Sequence, residues 1–211
     1  MNVLDLFSGI GGFSLGLERA GMRTVAFCEV EPFCRAVLRK HWPDVPCYDD
    51  VRTLTLERLA ADGIFAHVIC GGFPCQDISR AGNGAGITGE RSGLWSEYAR
   101  LIGELRPDYA IVENVAALLD RDMATVCGDL AAIGYDAEWS VVSACAFGAP
   151  HMRQRVFIVA YPNGQHGRSW VRNPVARSYR PLQEIDGFEG SRARWRARLA
   201  NPSELYGGAD G

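Results

Sequence analysis

Cys75 is the residue in this chain best placed to react. The run Gly71-Gly72-Phe73-Pro74-Cys75-Gln76-Asp77-Ile78-Ser79 follows a stretch of small and β-branched residues, Ala66 to Cys70, that reads as a buried strand. The two glycines and the proline are expected to break that strand and present the thiol at its carboxyl end, where open α/β sheets bind ligands. Beyond lies a polar loop, Arg80 to Arg91, with Gly82, Gly84, Gly86 and Gly89. Most cysteines are inert packing residues. Here the proline on one side, the amide of Gln76 on the other and the glycine loop beyond mark a nucleophile.

A second apolar run, Tyr109 to Val112, delivers Glu113-Asn114-Val115 to the same sheet edge. A carboxylate at the end of such a run loses hydration, which tends to raise its pKa and suits a proton donor. Arg153 and Arg155 stand at the entrance to a third run, Arg155 to Tyr161. Being two apart, they share one side of an extended chain; the alternative is a solvated strand entry.

A different constellation opens the chain. Asn2 to Phe7 is a strand candidate that runs into Ser8-Gly9-Ile10-Gly11-Gly12, and apolar helical spacing follows at Phe13, Leu15, Gly16, Leu17 and Ala20. Strand, glycine turn and helix form a cofactor-binding start, because glycines let the backbone approach a ligand and helix amides face it. The spacing is not the dinucleotide GxGxxG. The next strand, Thr24 to Cys28, ends on Glu29, 20 positions after Gly9. An acid there is where a ribose diol is held. Glu31 reads instead as a helix cap with Pro32. A third strand near Val45 to Tyr48 leads to Asp49-Asp50-Val51. Asp50 would accept from an adenine amino group with Val51 against the ring, or else cap the segment that follows.

The positioning elements alternate as an α/β sheet requires. Phe33 to His41 is expected to pack Phe33, Val37 and Leu38. Leu94, Trp95, Tyr98, Leu101, Ile102 and Leu105 mark an amphipathic helix ending before Pro107. Met123, Val126, Cys127 and Leu130 mark another, with Gly134 as terminator. Tyr135 to Ala144 and Arg155 to Tyr161 read as a closing strand pair. A chain of 211 residues, 47% hydrophobic and 22% charged, suits one sizeable core. No run reaches the roughly 18 to 20 apolar residues of a membrane span. Seven scattered cysteines without CxxC pairs read as reduced thiols in a cytoplasmic protein, with no metal site. A net charge of −3 confines nucleic-acid binding to local basic patches.

In this order the motifs resemble those of the DNA (cytosine-5) methyltransferases, over residues 2 to about 161. Phe7-Ser8-Gly9-Ile10-Gly11-Gly12-Phe13 is similar to their first cofactor motif and Gly72-Phe73-Pro74-Cys75-Gln76 to their catalytic motif. Glu113-Asn114-Val115 resembles the Glu-Asn-Val motif, and Arg153-Gln154-Arg155 the Arg-x-Arg motif beside the target base. The resemblance implies a Rossmann-like class I methyltransferase sheet, mostly parallel with an antiparallel closing strand and helices on both faces. It implies S-adenosylmethionine as cofactor, held by Phe7, Ser8, Gly9, Gly11, Gly12, Glu29, Asp50, Val51 and Pro74. It implies double-stranded DNA as substrate. The target cytosine is flipped out, and Cys75 adds to carbon 6 so that carbon 5 becomes nucleophilic and accepts the methyl group. Glu113 would hold ring nitrogen 3 and the exocyclic amine, and Arg155 the base carbonyl with Arg153 in support. Gln76, Ser79, Arg80, Arg91 and Asn114 would contact the nucleotide.

The family also carries a sequence-reading domain and a C-terminal motif that completes the cofactor pocket, and nothing after Tyr161 matches that motif. Residues 1–161 are therefore expected to be the catalytic domain. Residues 162–211 are expected to be a basic, irregular or partly disordered tail, a truncated recognition region. Eight arginines with Trp170, Tyr179 and Trp195 fall between 166 and 200. A complementary polypeptide is the corresponding partner expectation. An inactive remnant binding cofactor or DNA, and an RNA cytosine-5 methyltransferase, stay open beside the DNA enzyme.

Overall fold

A computed structural model describes residues 1–74 and 93–164. Seven strands form one sheet in the order β3-β2-β1-β4-β5-β7-β6. They are β1 (Asn2–Leu6), β2 (Arg23–Cys28), β3 (Cys47–Tyr48), β4 (Val68–Gly72), β5 (Tyr109–Val115), β6 (Tyr135–Ser143) and β7 (Gln154–Pro162). The pairs β1–β2, β1–β4, β2–β3 and β4–β5 are parallel, whereas β5–β7 is antiparallel. The strand order reverses between β1 and β4, the switch point at which doubly wound sheets open a crevice. Among the described residues, Met1–Val141 and residues 155–164 belong to one compact unit, and Val142–Gln154 to another.

Local sequence explains the helices. α1 (Gly12–Arg19) follows the glycine turn, with no side-chain cap at Gly11. α2 (Pro32–His41) has Pro32 at its start, Glu31 accepting from the Phe33 amide, and Arg39, Lys40 and His41 in its last turn. α3 (Leu56–Ala61) is capped by the Thr55 hydroxyl. α4 (Gly93–Leu105) buries Trp95, Tyr98, Leu101 and Ile102, the stripe expected of it. After the short α5 (Leu118–Arg121), α6 (Met123–Ala132) runs to Gly134, whose φ of 82° is the left-handed stop.

Alternation along the central strands splits the core. Val3, Val68 and Cys70 form one cluster, with Phe13 and Leu17 of α1 packed against it. Leu4, Leu6 and Ile69 join Tyr98, Leu101 and Ile102 of α4 in the larger one. Burying a side chain of this size stabilises by about 1.5–3 kcal/mol before entropy is counted.

Several expectations need correction. β4 does not stop at its glycines but pairs through Gly72, and β5 continues past Val112 to Val115. β7 pairs with the end of β5, so ladder bonds carry β5 beyond the point where its apolar run stops. β3 is only Cys47–Tyr48, because it lies at the sheet edge and pairs on one side. Phe33 is 70% exposed, and Leu38 is the residue that α2 buries. The N-terminal position of Phe33 on α2 keeps it clear of the sheet. At the other end of the sheet, the Asn163 amide donates to the Gly134 carbonyl (3.0 Å). The chain thus leaves β7 beside the start of β6.

Candidate active site

The glycine turn leaves β1 through left-handed backbone at Phe7 (φ 52°), Gly9 (φ 54°) and Gly11 (φ 90°). For Phe7 that conformation is strained; its ring meets Tyr98 edge-on at 6.2 Å. Ser8 is buried and donates its hydroxyl to the Asp5 carbonyl (2.6 Å), so it holds the turn's shape. A Cβ placed at Gly9 or Gly12 would meet nothing within 4 Å, so the turn's outer face borders open space into which a ligand can enter.

Glu29 is fixed at the end of β2 by two backbone amides, from Gly9 (2.7 Å) and Glu31 (2.8 Å). It ties the glycine turn to the second strand end while its remaining lone pairs stay available. Asp50 stands at the end of β3. Its carboxylate takes the Arg52 amide (2.9 Å) and side chain (2.7–3.1 Å). The Arg52 hydrogen bonds hold its carboxyl below the usual range. Val51 behind it is buried, whereas Val30, next to Glu29, is 70% exposed. Two fixed acids at adjacent strand ends, an open glycine turn and exposed apolar side chains at Ile10 and Val30 could hold a cofactor that offers hydroxyl or amine donors and an apolar face.

The second half of the site forms where β4, β5 and β7 meet. Gly72 is in register with Glu113, and Glu113 with Phe157 across the antiparallel pair. Arg155 lies opposite Val115, and its Nε stands 2.7 Å from Glu113 Oε1. Both side chains keep about a fifth to a quarter of their surface, 21% and 24%. The expected loss of hydration at Glu113 is therefore met by a guanidinium in contact. A Cβ at Gly72 would stand 2.5 Å from Glu113 Oε2, so only glycine leaves room for this carboxylate.

Asn114, expected at the substrate, is 2% exposed and uses both ends of its amide on backbone. Its Nδ2 donates to the Phe73 carbonyl (3.2 Å), and its Oδ1 accepts from Val115 N (2.8 Å). It thereby ties β5 to buried Phe73, two residues before Cys75, whereas Pro74 between them is exposed. Arg153 is exposed and lies one residue before β7. Cys75, Gln76, Ser79, Arg80 and Arg91 lie outside the described residues. Burial pushes the thiols of Cys28, Cys34, Cys47, Cys70 and Cys127 upward, Cys28 to about 12, which makes them poor nucleophiles.

Sequence reading missed Asp5. Its carboxylate is wholly buried beneath the glycine turn and accepts from the Ser14 hydroxyl (2.7 Å) and amide (3.3 Å). Burial pushes it up to about 7. A charged residue inside an otherwise apolar strand was the available signal.

A mostly parallel sheet of this order, closed by an antiparallel strand and carrying acids at successive strand ends, is the class I methyltransferase sheet. Comparison with known proteins narrows the class. Residues 1–188 match the family described as C-5 cytosine-specific DNA methylase, and the chain belongs to that family. It is 39% identical to Type II methyltransferase M2.BsuMI of Bacillus subtilis, over 76% of this chain and 42% of that protein. It is 31% identical to Type II methyltransferase M.AquIA of Picosynechococcus, over 79% of this chain and 77% of that protein. Among solved structures, a DNA modification methyltransferase encoded within an E. coli prophage superposes with a TM-score of 0.65. That match has 28% identity and covers 77% of this chain and 47% of that one. Apart from M.AquIA, the chain spans about half the length of these relatives.

Proposed function

We propose that this chain is the catalytic portion of an S-adenosylmethionine-dependent DNA cytosine-5 methyltransferase. The observation that carries the reading is the convergence of Gly72, Glu113 and Arg155 on one strand edge in a member of this family. Glu29, Asp50 and the Phe7–Gly12 turn, with Val51 and Pro74, hold the cofactor, which supplies the methyl group. Cys75 adds as thiolate to carbon 6 of a flipped cytosine. Arg155 binds the base carbonyl, with Arg153 in support. Glu113 holds ring nitrogen 3 and the exocyclic amine and feeds a proton to nitrogen 3 as negative charge develops on the ring, and carbon 5, so activated, takes the methyl group. Loss of the carbon 5 proton and of the thiol restores the base. Gln76, Ser79, Arg80 and Arg91 contact the nucleotide, and Asn114 braces the strand end that carries the nucleophile.

Residues 1–161 form the catalytic domain in this reading, and the basic residues from 162 onward add phosphate contacts. The protein acts in the cytoplasm, as bacterial type II methyltransferases would. Among the described residues, no helix is long and apolar enough to cross a membrane.

The test is covalent trapping. DNA carrying 5-fluorocytosine should form a stable adduct in the presence of cofactor, because fluorine cannot leave as a proton does. An adduct that persists in Cys75→Ala would overturn the assignment of the nucleophile. Labelled methyl transfer to transfer RNA rather than DNA would overturn the substrate.

One observation favours a further partner. The chain spans 77% of M.AquIA but 39–52% of seven other type II relatives, so a type II methyltransferase chain of nearly this extent exists. A complementary polypeptide would then supply DNA sequence reading and the remaining wall of the cofactor pocket. Mixing the chain with such a polypeptide should convert weak, unselective transfer into site-specific methylation. Robust site-specific methylation by the chain alone would refute this part.

A further inference from the structure

Gly11 sits against an aromatic ring. A Cβ built there would stand 2.6 and 2.7 Å from two ring carbons of Trp42, and 3.1 Å from a methyl of Leu38. Trp42 terminates α2, its amide closing that helix on the Leu38 carbonyl (2.7 Å). Its ring packs edge-on against Phe27 of β2 at 5.4 Å. Its indole N–H is held at 3.0 Å from both carboxylate oxygens of Glu18, on α1. Glu18 Oε1 also lies 3.4 Å from the Thr24 amide at the start of β2. One indole thus joins α1, β2 and α2 behind the glycine turn.

The turn is held from two sides. Glu29 grips the Gly9 amide from the end of β2, and Trp42 supports Gly11 from behind. The left-handed backbone at Gly9 and Gly11 is closed internally by a single turn bond, the Gly11 amide to the Ser8 carbonyl (2.9 Å), so a rigid backstop adds to its hold. A planar indole held by a charge-assisted hydrogen bond to Glu18 and packed edge-on against Phe27 is such a backstop.

We infer that Trp42, oriented by Glu18, is a positioning residue that holds the Gly9–Gly12 turn in its ligand-ready shape. It acts through the turn and touches no ligand. The inference rests on the cofactor reading above only for its functional consequence, because the shape of the turn can be read without any ligand. Preorganised turns bind more tightly because the ordering cost is met before the ligand arrives. The effect therefore falls on cofactor affinity and not on the methyl-transfer step.

Two measurements on the full chain test this. In cofactor-free protein, hydrogen exchange of the amides of residues 8–15 should speed up in Trp42→Ala, with β4 and β5 unchanged. Glu18→Ala should do the same more weakly, while Glu18→Gln, which keeps an acceptor for the indole, should stay near the parent. Titration with S-adenosylmethionine should then show roughly ten-fold weaker binding in Trp42→Ala. Glu18→Ala should lie between that variant and the parent, with kcat at saturating cofactor little altered in both. Trp139→Ala, which removes an exposed indole on β6, is the control expected to change neither readout. Parent-like exchange of residues 8–15 in Trp42→Ala would overturn the inference, as would accelerated exchange spread evenly over the sheet. If the parent fails to bind S-adenosylmethionine, the cofactor reading falls, and the exchange measurement still decides the role of Trp42.

Discussion

The guanidinium of Arg155 meets the carboxylate of Glu113 at 2.7 Å across two antiparallel strands that neighbour in space and lie about 40 residues apart in sequence. On the proposed reading the pairing puts a donor for the base carbonyl beside the carboxyl that holds ring nitrogen 3 and the exocyclic amine, each fixed on a strand and each still partly open. Arg155→Lys preserves the charge but not the planar fork that reaches partner and base together. Methyl transfer should fall at least about ten-fold in that variant while its melting temperature stays close to the parent's. Steady-state kinetics with labelled cofactor, alongside calorimetry, checks both halves.

Gly72→Ala asks whether the missing Cβ matters. The added methyl would enter the space of Glu113 Oε2, so the carboxylate must swing away from its place beside Arg155. Activity should drop by about a hundred-fold or more, with cofactor affinity unchanged, since a displacement of this size disrupts catalytic alignment. Equal loss of cofactor binding would show that the substitution disturbs the whole strand end instead.

Glu29 and Glu31 separate the proposed cofactor-holding acid from a cap. Glu29→Ala removes charge-assisted bonds to two amides and should weaken S-adenosylmethionine binding about ten- to a hundred-fold. Glu31→Ala removes only the α2 cap and should lower stability by about 0.5–1 kcal/mol with affinity retained. A reversed pattern in isothermal titration would reassign the ribose-holding acid.

Asp5 predicts an unusual pH dependence. Its carboxyl is raised to about 7, with Ser14 of α1, Cys70 of β4 and Tyr98 of α4 around it and Glu29 nearby. Between about pH 4 and 7 the folded state binds this proton and the unfolded state does not. The stabilisation is complete below the unfolded pKa and is lost as pH rises through the folded value. Asp5→Asn mimics the protonated acid, so its stability advantage over the parent should grow from pH 4 to pH 8. The gain should be roughly 4 kcal/mol, since the rise from 3.8 to about 7 is about a thousand-fold in proton affinity and each ten-fold step corresponds to about 1.4 kcal/mol. Urea melts across that range would show parallel curves if Asp5 were ionised throughout in the fold.

Much of this was legible in the residues themselves. Glycines, strand-end acids and the helical stripe of Leu94 to Leu105 each announce a local geometry, and the sheet and its two ligand edges follow from their order. Less visible are features that depend on which strands become neighbours. Gly72 reads as a strand breaker because its partner Glu113 is 41 residues away and becomes its neighbour only through the β4–β5 register. Asn114 reads as a substrate contact because nothing local shows that its amide closes on the Phe73 carbonyl. Phe33 reads as core because the helical period alone does not say which face meets the sheet.

The bond from Asn163 to Gly134 has a further consequence for reach. β7 begins beside the site at Arg155 and ends at Pro162, on the opposite rim of the sheet. At about 3.3 Å per residue, the exit point lies roughly 20–25 Å from the guanidinium's strand position. A following segment needs about seven extended residues merely to climb back to the height of the site. A fluorophore or fusion joined just after Gly164 would thus attach at the rim away from the chemistry, and its linker length becomes an adjustable ruler for anything meant to reach the base.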